Sequence, residues 1–160
     1  MKKHWFHNKL KDNILILDGA TGTELQNYGM KPGYCPELLN IENSGMIKKV
    51  YKSYVDAGSD IISANTFGAN RAKLQEFNLE DKIELINKSA ISQAKEIAGT
   101  KAKVFASISS TGKLIEPTGN ATFDEIVTIF EEQANILSET DVDGIIIETM
   151  TDIKEMKAAI

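Results

Sequence analysis

Ile14-Leu15-Ile16-Leu17-Asp18-Gly19-Ala20-Thr21-Gly22-Thr23 is a short apolar run that ends abruptly in an acid and a cluster of small residues. The figure returns three times. Ile61-Ile62 leads into Asn65-Thr66-Phe67-Gly68, Val104-Phe105-Ala106 into Ser107-Ile108-Ser109-Ser110-Thr111-Gly112, and Ile145-Ile146-Ile147 into Glu148-Thr149-Met150. Intervals of about 40 to 47 residues between clusters are what βα units produce, with the chemistry gathered at the carboxyl ends of parallel strands. The runs are nearly all apolar rather than alternating, so the expected sheet is parallel and covered on both faces.

The stretches between the runs read as helices. Asn43 or Ser44 can cap a helix with Met46, Ile47, Val50, Tyr51, Tyr54 and Val55 at helical spacing, ending at Gly58. A short helical piece is expected around residues 71–77. A longer one follows, with Ile83, Ile86, Ala90, Ile91, Ala94 and Ile97 on one face and a stop at Gly99. Thr122-Phe123-Asp124-Glu125 is a capping box for a helix that buries Ile126, Ile129, Phe130 and Leu137. The segment 151–160 opens as a helix without a Gly, Asn or Pro stop, and Met150, Met156 and Ile160 are expected to bury against a neighbouring element.

A chain of 160 residues with 42% hydrophobic and 26% charged residues is ordinary globular usage and suffices for one domain. Net charge is -5 and Lys and Arg are dispersed, so no nucleic-acid footprint exists. No run reaches membrane-spanning length, and no apolar stretch of signal-peptide length follows the basic start, so a cytoplasmic protein is expected with no membrane partner. The single cysteine, Cys35, agrees with a reducing compartment. Four βα units are half of a (β/α)₈ TIM-type barrel, which takes about 250 residues. The expected organisation is therefore an N-terminal tail over residues 1–13 and a half-barrel over 14–160, a fragment or truncated product. Standing alone, it would leave open sheet edges that drive self-association.

Two readings of the first cluster compete. Gly19-Ala20-Thr21-Gly22 could form a dinucleotide loop, but Leu25 replaces the third glycine, and the second strand ends in Ala64-Asn65 rather than in an acid for the ribose. Asp18 would also repel phosphates. Alternatively, Asp18 and Glu148 end their strands with carboxylates pointing into one mouth. That pair suits a substrate ammonium, while the backbone N–H groups of Gly19, Ala20 and Thr21 could take a carboxylate, which together describe an α-amino acid site. The bland reading is that both acids only cap loop amides.

Six segments in order carry a resemblance: Asp18-Gly19-Ala20-Thr21-Gly22-Thr23-Glu24-Leu25-Gln26, Pro36-Glu37-Leu38-Leu39-Asn40, Ala57-Gly58-Ser59-Asp60-Ile61-Ile62, Asn65-Thr66-Phe67-Gly68-Ala69-Asn70, the stretch Thr111 to Gly119, and Glu148-Thr149-Met150-Thr151-Asp152. Together they resemble the homocysteine-binding barrel of the homocysteine S-methyltransferase family, with Thr111 to Gly119 most similar to the cobalamin-dependent methionine synthase branch. The resemblance implies zinc-dependent methyl transfer to the homocysteine thiol, with Asp18 and Glu148 on the substrate amino group, backbone of Gly19, Ala20 and Thr21 contributing, and Asn65 and Thr66 lining the mouth. It implies a methyl donor, methylcobalamin or a folate, handled by other modules. Zinc would deprotonate a thiol whose ordinary pKa is about 8.5.

The family's zinc cysteines come from later strands, and none is present here. Cys35 stands beside Pro36 outside any ligand spacing, and His4 and His7 have no third ligand, so no metal ligand and no catalytic group is assigned within this chain. The expected chain carries the amino-binding half and is inactive alone. The alternative is a non-catalytic half-barrel or split subunit that completes a site with a partner chain. A second departure is Ser109-Ser110, where the family commonly has Gly-Pro. The tyrosines, including Tyr51 and Tyr54, read as packing residues.

Overall fold

The computed structural model describes residues 4–160, and the side chains from residue 5. Helix α1 spans His4–Asp12, α2 Thr21–Asn27, α3 Leu39–Glu42 after a 3₁₀ turn at Pro36–Leu38, and α4 Ser44–Asp56. Strand β1 is Ile61–Ala64; α5 (Arg71–Gln75) and α6 (Ile83–Ala98) follow it. Then come β2 (Lys103–Ile108), α7 (Phe123–Ser138), β3 (Gly144–Ile147) and α8 (Ile153–Ala159). The strands lie in chain order β1-β2-β3, and both pairs are parallel. A parallel sheet with helical connections is thus the observed architecture, as the apolar runs require.

Local chemistry sets the helix ends. The Asn43 side chain accepts the Met46 amide and starts α4, and Thr122 and Glu125 form the reciprocal capping box of α7. Gly99, at φ 52°, ends α6 in a conformation that side chains resist. Ile47, Val50 and Tyr51 of α4, Ala90 and Ala94 of α6, and Ile126, Phe130 and Leu137 of α7 bury against Ile62, Val104, Ala106 and Ile108 of the sheet. That apolar burial is the main stabilising term of the domain.

Three expectations need correction. The run Ile14 to Leu17 is not a full strand: it makes one parallel bridge, Leu17 to Ile61. The cause is Asp60, whose carboxylate accepts the Ile16 amide at 3.0 Å in place of a main-chain carbonyl, while Ile16 O takes the amides of both Asp60 and Ile61. Coverage on both faces holds for β2 but fails at the borders, where Leu17 and Ile145 are exposed. Ile160, expected to bury, is 89% exposed because it follows the last turn of α8 with nothing packed on it. Within the stretch read as a tail, α1 is helical and sets Phe6 against Phe105 of β2, with ring centroids 6.2 Å apart.

Candidate active site

At the carboxyl ends of the strands a cavity of about 550 Å³ is lined by Asp18, Gly19, Ala20, Thr21, Glu37, Asn65, Phe67 and Glu148, among others. Asp18 stands where the first run leaves the sheet. Its Oδ2 accepts the Ser63 amide at 2.7 Å and its Oδ1 the Ser63 hydroxyl at 2.9 Å. Glu148, one residue past β3, accepts the Ser107 hydroxyl at 2.5 Å. Burial pushes the Asp18 carboxyl above the usual range; the Ser63 donors oppose that, and the negative charge of Glu148 adds to it.

Gly19, Ala20 and Thr21 run from Asp18 into α2, whose opening amides have no partner inside the helix. Gly19 is there for close approach, since a Cβ would lie 2.9 Å from the Tyr54 hydroxyl oxygen. Tyr54 in turn donates to Ala20 O at 3.1 Å. Asn65 is buried on the cavity wall, its amide group donating to Pro36 O at 2.9 Å and to Asn40 Oδ1 at 2.8 Å. Its backbone amide donates to the Tyr51 hydroxyl oxygen at 2.8 Å.

Six of the seven residues singled out in the sequence, Asp18, Gly19, Ala20, Thr21, Asn65 and Glu148, line this one cavity, and Thr66 does not. Thr66 is fully buried, and its hydroxyl donates to Ser107 O at 2.8 Å and accepts the Ser107 amide at 3.0 Å. It ties β1 to β2 behind the wall instead of facing the cavity.

Sequence reasoning passed over Glu37, a buried acid on the wall. Its Oε1 accepts the Gly68 amide at 2.7 Å, and its Oε2 accepts the Cys35 thiol at 3.4 Å. Its signal was present as the acid of Pro36-Glu37-Leu38-Leu39-Asn40. Tyr51 and Tyr54 pack in and against the core as expected, and their placement three apart on α4 also aims both hydroxyls at the site. At the Ser109-Ser110 departure, Ser109 donates to Phe67 O at 2.7 Å and Ser110 accepts the Gly112 amide at 3.1 Å, so hydroxyls shape that loop.

The residues present do not fit a zinc site. Among the described residues no group of three His, Cys, Asp or Glu side chains could hold a metal. The Cys35 thiol is buried, and burial with the charge of Glu37 pushes its pKa up to about 11, against the thiolate that zinc requires. For the His4–His7 pairing, the His4 side chain lies outside the described ones.

Fold and cavity together define an α/β protein with a parallel sheet and an acid-bearing cavity at the strand ends. The same fold occurs in the homocysteine methyltransferase MmuM from Escherichia coli. Its oxidised form aligns with a TM-score of 0.80 at 18% identity, covering 93% of this chain and 57% of that one. The metallated form gives 0.80 at 17% identity, covering 96% and 60%. Residues 15–160 match the model of the homocysteine S-methyltransferase family, and the chain belongs to that family. It is similar to the methionine synthases of Mycobacterium tuberculosis, 28% identical over 176 residues, and Mycobacterium leprae, 27% identical over 166 residues. It spans 99% and 94% of its own length in those matches but only 14% and 13% of theirs. No described helix is long and apolar enough to cross a membrane.

Proposed function

We propose that the cavity binds homocysteine as part of a cytoplasmic S-methyltransferase that makes methionine. The observation that carries the reading is the placement of Asp18 and Glu148 on one wall system with the backbone of Gly19, Ala20 and Thr21. The two carboxylates would receive the ammonium, and the backbone amides of Gly19, Ala20 and Thr21 the carboxylate. Asn65, with its side chain anchored, would keep the third wall rigid, and Phe67 would cover the methylene stem.

Zinc, when bound, would supply the thiolate; its ligands would come from cysteines outside this chain, and the donor, methylcobalamin or a folate, from other modules. The chain would then be the amino-binding part of a longer (β/α)₈ barrel, four βα units over 14–160 with a tail at 1–13. Exposed sheet borders and the greater length of the solved relatives support a completing segment or partner.

Calorimetric titration with homocysteine, beside the same compound lacking its amino group, tests the reading. Binding of homocysteine alone is expected, and equal binding of both would overturn the role of the two acids. Atomic absorption after dialysis should find the chain free of zinc, and stoichiometric zinc would overturn the assignment of its ligands elsewhere.

A further inference from the structure

Serine is an unusual choice in these strands. β1 and β2 are otherwise apolar except for Lys103, and a hydroxyl packs poorly against a pleated, half-buried surface. Yet Ser63 and Ser107 occupy the carboxyl ends of adjacent strands. Register pairs Ser63 with Phe105, and Ser107 lies two residues beyond Phe105, so both serines share one face of the sheet. Register also pairs Ser107 with Ile146, which puts Glu148 on that face. Each serine meets one acid. Ser63 gives its amide and hydroxyl to Asp18, and Ser107 its hydroxyl to Glu148.

The acids need this help. Asp18 and Glu148 carry like charges on one cavity, and Glu37 adds a third carboxylate to its wall. Tyr51 and Tyr54 of α4 feel the charge of Asp18, and Glu24 of α2 stands near Tyr54. Among these neighbours none is a cation. For Asp18, burial and the charge of Glu148 therefore favour the protonated acid, which could not pair with an ammonium, whereas the hydrogen bonds donated by Ser63 favour the ionised form.

We infer that Ser63 and Ser107 are positioning residues: Ser63 holds Asp18 ionised, and both serines fix their acid's orientation toward a cationic group in the cavity. The inference rests on the amino acid reading for the identity of that cation, but the state of the acids can be read without it.

The test is a ¹³C carboxyl titration by NMR of the ligand-free 160-residue chain, unsubstituted and as Ser63→Ala, Ser63→Thr and Ser107→Ala, followed by homocysteine calorimetry at pH 6 and pH 8. Loss of the Ser63 hydroxyl should raise the Asp18 midpoint by about one pH unit, and Ser63→Thr should restore it. Ser107→Ala should displace the Glu148 carboxyl ¹³C resonance, because that carboxylate loses the hydrogen bond of the Ser107 hydroxyl. Homocysteine should bind Ser63→Ala about tenfold more weakly at pH 6, with a smaller loss at pH 8. An unmoved Asp18 midpoint and an unmoved Glu148 resonance overturn the role of the serines even if homocysteine binds. A moved Asp18 midpoint and Glu148 resonance without homocysteine binding to any form, the unsubstituted chain included, support the serines and overturn the amino acid reading.

Discussion

The hydroxyl of Thr66 clamps the main chain of Ser107 from both sides, donating to its carbonyl at 2.8 Å and accepting its amide at 3.0 Å. One side chain thus joins the loop after β1 to the end of β2 and sets the height at which Ser107 meets Glu148. Thr66→Val keeps the shape but removes the donor and the acceptor, leaving buried main-chain groups unpaired. A loss of about 2 kcal/mol in urea unfolding is expected, with Thr66→Ser retaining most of the stability. Equal stability of the valine variant would show that the clamp is dispensable.

Asp18→Asn should separate function from stability. Its folded pKa is raised, so the stability its carboxyl contributes is present below the ordinary carboxylate range and is lost as pH rises through the folded value. At neutral pH the asparagine chain should therefore be at least as stable as the native one. Its homocysteine affinity should fall by about 10- to 100-fold, from the loss of a charge-assisted bond, and in a complete enzyme KM should rise more than kcat falls. An unchanged KM would reduce Asp18 to a cap on the Ser63 amide.

Asp143 has the opposite sign. Burial alone would raise its pKa, but Lys95 at 2.7 Å, the Val104 amide at 2.9 Å and Lys103 at 3.3 Å together hold it below the usual range. A lowered folded value gives stability that is present above the unfolded pKa and lost as pH falls through the folded one. Asp143→Asn should cost about 2 kcal/mol at pH 7. The gap between variant and native chain should close on acidification below about pH 4. Urea midpoints measured from pH 7 to pH 2 decide it, and a constant gap would refute the assignment.

Helices α4, α6 and α7 and the placement of Asp18 and Glu148 were legible because their signals are local. Asn43, Gly99 and the Thr122–Glu125 box announce helix ends within a few residues, and Asp18 and Glu148 each close an apolar run. What escaped depends on distant partners. Ile14 to Leu17 looks like a strand until Asp60 takes the Ile16 amide from 44 residues away. Helix α1 carries no cap signal, and its place depends on Phe6 against Phe105 and on Lys103 lying 5.6 Å from the Trp5 ring centre. Thr66 and Asn65 are adjacent polar residues in sequence, and only the bend after β1 sends one to the cavity and the other behind it.

The same misread segment yields a further expectation. Ile14 is 88% exposed, Ile16 59% and Leu17 47%, while Ile145 on the opposite border is 44% exposed. Apolar side chains beside unpaired sheet edges favour association, because joining edges satisfies main-chain groups and removes apolar surface from water. Light scattering during size exclusion should show an apparent mass that rises with concentration. Ile16→Lys should return it toward the monomer, since that side chain is mostly exposed and the main-chain bonds of Ile16 are kept. A chain that stays monomeric at every concentration, or an Ile16→Lys variant that associates as strongly as the native one, would show that these borders are not what the molecule uses to meet a partner.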